Sequence, residues 1–166
     1  VNQTARGNQN SNSFDLDVTN GYMYYNHTSG TGSGTPYCQF SYAGTGIGSI
    51  TQNGTTAVSY NTSSDYRLKT NVQPMTGALT KISKLNPVTY TWKSDNSSGQ
   101  GFIAHELQAI IPDAVTGVKD AVDAEGNPVY QGVDTSFLVA TLTAAIQEQQ
   151  AMIINLQNRL AAANIA

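Results

Sequence analysis

The spacing of hydrophobic and polar positions changes along this chain and divides it into two parts. In the first sixty residues apolar side chains alternate with polar ones in short runs such as residues 14–18, which predicts half-buried strands. Turn signals separate the runs, at residues 32–36 and at Asn53-Gly54. From about Asn61 onward the pattern is that of an ordinary mixture of helices and strands. The fold class predicted is therefore α+β.

The second part contains recognisable starts and stops of helices and strands. We predict these elements in chain order: a helix capped by Thr76 and running to about Leu85, a strand over 87–93, a short strand over 101–104, a helix over 105–111 ended by Pro112, a turn at 123–128, a strand over 129–133, and a long helix capped by Asp134 and running to about Asn164.

The long helix carries an apolar seam with alternating spacings of three and four residues, which is typical of a coiled coil. The seam positions are Val139, Leu142, Ile146, Gln149, Ile153, Leu156, Leu160 and Ala163. Gln149 would form a polar layer that fixes the register. The seam residues favour dimers while a β-rich fibre favours trimers, so the pattern leaves the number of chains open. For residues 137–145 we expect instead a helix packed on its own domain.

Charge follows the same division. Residues 1–60 contain three charged side chains, and residues 61–166 contain the other sixteen. Over half of the first sixty residues are Gly, Ser, Thr or Asn, yet several tyrosines accompany them. Such a segment has too small a core to stand alone, so we predict a β-rich segment that intertwines with other copies. A flexible linker is the alternative.

Composition also excludes several classes of function. A chain with a net charge of −3 lacks the basic face that phosphate contacts require, so no nucleic-acid partner is expected. No run of 18 apolar residues occurs and the N-terminus lacks a signal-peptide pattern, so no membrane insertion is expected. Cys38 alone allows no internal disulfide, and His27, His105 and scattered carboxylates form no metal-ligand pattern. We expect no metal and no cofactor.

One pair of residues near the boundary suggests chemistry. Ser64 precedes Lys69 by five positions, and a serine hydroxyl becomes a nucleophile when a desolvated lysine amine takes its proton. Leu68 and Val72 could desolvate Lys69. By spacing alone, a solvated lysine at the end of a strand remains the simpler interpretation.

The surrounding motifs resemble the C-terminal intramolecular chaperone domain of phage tailspikes and tail fibres, as in endosialidases. The resemblance covers about residues 63–160. Its motifs are Ser-Asp-Tyr-Arg-Leu-Lys-Thr-Asn-Val at 64–72, Ala78-Leu79 with Ile82, Leu-Asn-Pro-Val-Thr-Tyr-Thr-Trp at 85–92, Gly-Phe-Ile-Ala-His-Glu-Leu at 101–107, then Pro112, Tyr130 and Val133-Asp134.

The resemblance implies a homotrimer that promotes folding of the preceding fibre and then cuts itself off. It implies that Ser64 is the nucleophile, that Lys69 is the general base, and that the bond between Ser63 and Ser64 is the cleavage site. Residues 1–63 would be the distal fibre segment and remain in the virion. Residues 64–166 would be the chaperone, with a coiled-coil helix over about 135–164, acting in the host cytoplasm during assembly.

Other residues of these motifs are weaker candidates. Asp65 could support Lys69 or the scissile peptide, although aspartate beside serine is also ordinary turn chemistry. Arg67 is expected in a salt bridge, and Glu106 in a structural hydrogen bond at a helix start rather than a catalytic role. His105 replaces the glutamine often found at its place in the family, which argues against an essential base there.

An alternative function from another class remains. The Tyr, Asn and Thr side chains of residues 1–63 suit stacking on sugars and hydrogen bonding to hydroxyls, so this segment would grip a host surface glycan and the helix would be a purely structural trimerisation tag. The competing interpretation places those tyrosines in the fibre core. Upstream fibre or spike regions of a longer parent chain are a further expected partner, and glycan binding could equally lie there.

Overall fold

A computed structural model describes residues 12–163. The chain divides into two compact units, and the boundary in the sequence falls between Val72 and Gln73. The proposed cleavage boundary at Ser63–Ser64 lies nine residues earlier, inside the first unit. Helices and strands are mixed, as the α+β prediction states.

The first unit consists of antiparallel strands. β1 (Ser13–Asp17) and β2 (Tyr22–Asn26) form a hairpin, and β3 (Pro36–Tyr42), β4 (Thr45–Asn53) and β5 (Ala57–Thr62) form a meander in that order. The predicted turn at Asn53-Gly54 connects β4 to β5. A short 3₁₀ turn, Tyr66–Leu68, follows the last strand.

The alternation in β1 predicts a strand correctly but assigns its faces wrongly. Phe14 and Leu16 are exposed, whereas Asp15 is buried and accepts a hydrogen bond from the Ser13 hydroxyl at 3.0 Å. A two-stranded hairpin offers nothing for the apolar face to pack against within one chain. The pattern therefore identifies the strand, but among residues 12–163 no surface buries its apolar face.

The second unit is built around two small cores. Its elements are α1 (Ala78–Ile82), β6 (Val88–Thr91), β7 (Ser98–Gly101), α2 (Ala104–Gln108), β8 (Val115–Thr116), β9 (Gly132–Val133) and α3 (Leu138–Ala162). Leu107 is 1% exposed and centres one core with Ile111, Val115 and Leu138. Ala78 of α1 packs with Ala144 and Ala145 of α3 in the other.

Some predicted boundaries of the second unit are wrong for identifiable reasons. The strand predicted at 101–104 ends at Gly101, because β7 pairs with β6 and its register stops at the Val88–Gly101 pair. The helix predicted from Thr76 begins at Ala78. Its N-cap residue is Gly77, which has no side chain to accept a hydrogen bond from the first turn. The predicted strand over 129–133 is reduced to Gly132–Val133.

The C-terminal helix α3 presents two different faces. Leu138, Thr141 and Ala145 are buried, which agrees with packing of its first turns on their own domain. From Gln149 to Ala162 every side chain is exposed. The predicted end at Asn164 lies outside the described residues.

By length and composition alone, Thr135–Ala162 could also cross a bilayer. However, four consecutive polar residues, 147–150, interrupt its middle, where charged and polar groups are costly in lipid. The absence of membrane insertion stays a prediction.

Candidate functional site

Ser64 and Lys69 lie side by side just beyond the last strand of the first unit. The Lys69 ammonium nitrogen Nζ donates a hydrogen bond to Ser64 Oγ at 2.6 Å. This distance is within the range expected for a nucleophile and its general base. The two side chains predicted to react are therefore brought together.

The 3₁₀ turn between them closes this distance. Leu68 N–H donates to the Asp65 carbonyl oxygen at 3.1 Å, and Lys69 N–H donates to that of Tyr66, also at 3.1 Å. The turn reverses the chain tightly enough for a five-residue separation to place both side chains on one side. An extended segment of the same length would hold them well over 10 Å apart.

Asp65 initiates this turn rather than facing Lys69 directly. Its carboxylate accepts the Arg67 backbone N–H at 2.8 Å and both Nε and Nη2 of the Arg67 guanidinium, at 2.9 and 2.7 Å. The guanidinium, followed by the backbone N–H of Arg67, holds the pKa of the Asp65 carboxyl below its ordinary value. Lys69 adds a smaller effect in the same direction. The expected salt bridge of Arg67 is thus present.

The residue before the candidate nucleophile is anchored to a different element. Ser63 N–H donates to the Ile47 carbonyl oxygen at 3.1 Å, and Ser63 Oγ donates to the Gly46 carbonyl oxygen at 3.0 Å. These anchors in β4 were not among the residues predicted from sequence. Strand register, which no local motif encodes, is what brings them to Ser63.

In the single chain the pair of Ser64 and Lys69 is open to water. Ser64 and Lys69 are exposed, and the apolar neighbours expected to desolvate Lys69 are exposed as well, Leu68 by 68% and Val72 by 74%. Tyr66, between the two dyad residues, is 80% exposed. The expectation that Leu68 and Val72 bury Lys69 is wrong for one chain as far as residues 12–163 show, because both apolar side chains are themselves exposed there.

The remaining candidates lie in the second unit. Glu106, in the first turn of α2, accepts a hydrogen bond from Asn86 Nδ2 at 3.1 Å, which is the structural contact expected for it. His105 is an exposed residue of the same helix. The seam residues lie on α3 and are exposed, including Val139, Leu142, Gln149, Leu156 and Leu160. Within residues 12–163, no cluster of three or more His, Cys, Asp or Glu side chains could hold a metal ion.

Comparison with known proteins gives consistent matches. A family model described as the chaperone of endosialidase matches residues 64–116. The chain is 33% identical to the long tail fiber protein Gp37 of Enterobacteria phage K3 over 103 residues, which is 58% of this chain and 8% of that protein. The same protein of Enterobacteria phage T2 is equally similar, with 7% of its length covered. The chain therefore spans less than a tenth of the tail fibre proteins it matches.

The family match begins at Ser64 and includes the turn, Lys69, α1, the β6–β7 hairpin and α2. Residues 64–116 of this chain are therefore similar to the chaperone of endosialidase, and the matches to phage long tail fibre proteins support a tail fibre chaperone domain in the second half of the chain.

Proposed function

We propose that residues 64–166 are a trimerising folding chaperone for the tail fibre segment that precedes them, and that this chaperone releases itself by cutting the bond between Ser63 and Ser64. The observation that carries the proposal is the 2.6 Å contact between Lys69 Nζ and Ser64 Oγ at the first residue of the family match. Cleavage at this bond divides the chain into segments of 63 and 103 residues.

The proposed reaction has two steps. The neutral amine of Lys69 takes the hydroxyl proton of Ser64, and Ser64 Oγ attacks the carbonyl carbon of Ser63. The bond between that carbon and the Ser64 nitrogen breaks, and the nitrogen receives the proton from the Lys69 ammonium. The product is an ester between the Ser63 carbonyl carbon and Ser64 Oγ. Water then adds to this carbon and returns a proton to Ser64 Oγ, leaving a carboxyl group on Ser63 and a free amine on Ser64.

Assembly supplies the condition that a single chain lacks. A lysine acts as a base near neutral pH where burial disfavours its charged form, and Lys69 is exposed in one chain. In the proposed trimer a neighbouring copy covers the apolar surface formed by Tyr66, Leu68 and Val72. The bond is then cut after the chains have come together, and release follows folding.

A variant series tests the dyad. In the wild type we expect fragments of 63 and 103 residues on a denaturing gel. Lys69→Ala should assemble but cleave about 10²–10⁴-fold more slowly, the range by which general-base catalysis accelerates reactions. Ser64→Ala should assemble and stay whole, because it lacks the nucleophile. Added methylamine should restore part of the cleavage in Lys69→Ala and none in Ser64→Ala, because only the former retains the nucleophile.

Lys84→Ala is the matched control, since Lys84 is an exposed lysine of the second unit. It should cleave as the wild type does. A folded, assembled wild-type chain that stays intact would overturn the proposal, as would fragments that persist in both dyad variants.

A second candidate function, binding of a host surface glycan, is favoured by a cleft in the first unit. The cleft has a volume of about 700 Å³, and both polar and apolar groups of residues 26–31, Tyr37, Gln52 and residues 54–58 line it. The His27 ring stacks on Tyr37 at 4.1 Å, and Gln52 Oε1 lies 2.9 Å from His27 Nδ1. Gln52 Nε2 donates to the carbonyl oxygens of Thr31 and Gly54, so the wall is held in place.

Carbohydrate sites combine such fixed polar groups with an aromatic ring. We expect the chain to bind lipopolysaccharide extracted from a susceptible host, and Tyr37→Ala to weaken that binding at least tenfold. Tyr60→Ala, at an exposed tyrosine outside the cleft, serves as the control. Equal binding by the Tyr37 variant and the wild type would exclude this cleft.

A further inference from the structure

The bond between Ser63 and Ser64 is held from its two sides by different elements. On the Ser64 side, the 3₁₀ turn sets the contact between Lys69 Nζ and Ser64 Oγ. On the Ser63 side, both the backbone N–H and the hydroxyl bond to consecutive carbonyl groups of β4. The carbonyl carbon that would be attacked belongs to the residue anchored to the sheet.

The anchor continues the pairing of β4 with β5. β5 ends at Thr62, which lies opposite Gly48, and the N–H bond of Ser63 to Ile47 extends the ladder by one residue. Close approach of the two strands depends on glycine here, because a Cβ on Gly48 would lie 2.8 Å from the Asn61 carbonyl oxygen. The Ser63 hydroxyl adds a second bond, to Gly46, beyond the point where regular pairing stops.

Acyl transfer depends strongly on the relative position of nucleophile and carbonyl carbon. A peptide unit fixed on only one side samples many orientations about the bonds of the other residue. Two hydrogen bonds from Ser63 to β4 restrict that freedom on one side of the peptide unit. On the other side, the 3₁₀ turn positions Ser64. Strand pairing thereby prepares the carbonyl group for attack.

We propose that Ser63 is a positioning residue for self-cleavage, whose hydroxyl bond to Gly46 holds the scissile carbonyl group against Ser64. This inference rests on the proposed function. The proposed role also depends on the strands that precede the bond. The Ser63 hydroxyl can position the carbonyl group only when β4 and β5 have paired. The chain is then cut faster when its last strand is in place.

The test measures the rate of cleavage in the full chain, produced by cell-free synthesis and quenched in detergent at successive times. Ser63→Ala should cleave about two- to tenfold more slowly, the range that one net hydrogen bond supplies. Ser63→Thr keeps the hydroxyl and should restore the rate. Ser59→Ala is the matched control, because Ser59 lies four residues earlier in β5 and faces the same side of an extended strand.

A structural role would lower stability instead of the rate. The thermal midpoint of each variant is therefore also measured in a Ser64→Ala background, where the chain stays whole, and Ser63→Ala and Ser59→Ala should have similar midpoints. Ser63→Ala cleaving at the wild-type rate, or Ser59→Ala slowing it equally, would overturn the positioning role alone. A folded wild type that does not cleave would overturn the proposed function together with this inference.

Discussion

Glu148 joins two helices of the second unit that are far apart in sequence. Its carboxylate, on α3, accepts the backbone N–H groups of Leu79 at 2.8 Å and Ala78 at 3.0 Å, which belong to the first turn of α1. Free N–H groups at a helix start need acceptors. Gly77, with φ of 70°, has no side chain to provide one. A residue of the long helix thus completes the start of the short one.

These bonds make the stability of the second unit depend on pH. The N–H groups of Leu79 and then Ala78 hold the pKa of the Glu148 carboxyl below its ordinary value of 4.5. Because the folded pKa is the lower one, the stabilisation is complete above about pH 4.5 and is lost as the pH falls through the folded value.

We expect Glu148→Gln to lower the urea midpoint of unfolding at pH 7, measured in the uncleaved Ser64→Ala background. The difference between variant and parent should shrink as the pH falls below the ordinary pKa, where the parent carboxylate also becomes protonated. Glu125→Gln, at an exposed turn residue, should leave the midpoint unchanged at both pH values. A Glu148→Gln difference that is the same at pH 7 and at pH 3 would contradict the role assigned to the charge.

At the scale of elements, α3 has more apolar surface than its own unit covers. Leu138 and Ala145 are buried in the unit, while Ile146 and Leu156, on the seam, are 64% and 52% exposed. A helix of this length gains most of its stability from packing of its apolar face. The exposed seam favours association with other copies along the distal half of the helix.

The seam yields a prediction about assembly. Replacing Ile153 and Leu156 by aspartate should place charges in the seam and convert an assembled Ser64→Ala chain to monomers, with about one third of the mass in light scattering. The same change at Gln147 and Asn158, which lie outside the seam, adds equal charge and should leave the mass unchanged. In the cleaving background the seam variant should also stay uncut. Monomeric mass for the parent chain would contradict the trimer.

The sequence predicts where helices and strands occur better than it predicts which surfaces bury their apolar faces. Alternating positions locate β1 and β6, and Pro112 marks the region where α2 ends. Asp134, the predicted cap of the long helix, instead caps a 3₁₀ turn, Thr135–Phe137, that leads into α3. The exposed face of Phe14 and the open surface around Leu68 could not be foreseen, because alternation states that a face is apolar and not whether the same chain buries it.

Long-range contacts account for the other differences. Thr76 was the best local cap, yet the cap of α1 comes from Glu148, 70 residues away. In the candidate site, the pairing of Ser64 with Lys69 followed from the family resemblance and not from spacing alone, and a local 3₁₀ turn creates the contact. The anchoring of Ser63 could not follow, because it depends on how β4 and β5 are paired.

At the scale of the whole molecule, the two parts of the chain differ in charge, and the proposed function gives this difference a reason. Residues 1–60 contain three charged side chains and the rest of the chain contains sixteen. Strand-rich segments that pair between chains fold slowly, because distant segments must lose conformational entropy to come together before their contacts stabilise the structure. A helix that first brings the chains together would reduce that cost. In the proposed function, the chaperone of residues 64–166 is no longer needed once the strands have paired, and self-cleavage then removes it.

The most direct test of this chaperone is the intact mass of the wild-type product after assembly. We predict two species, one ending at Ser63 with a free carboxyl group and one of 103 residues whose first residues are Ser64, Asp65 and Tyr66 with a free amine. Their summed mass should exceed that of the full chain by one water molecule. A single species with the mass of the uncut chain, in a sample that is folded and assembled, would contradict self-cleavage at this bond.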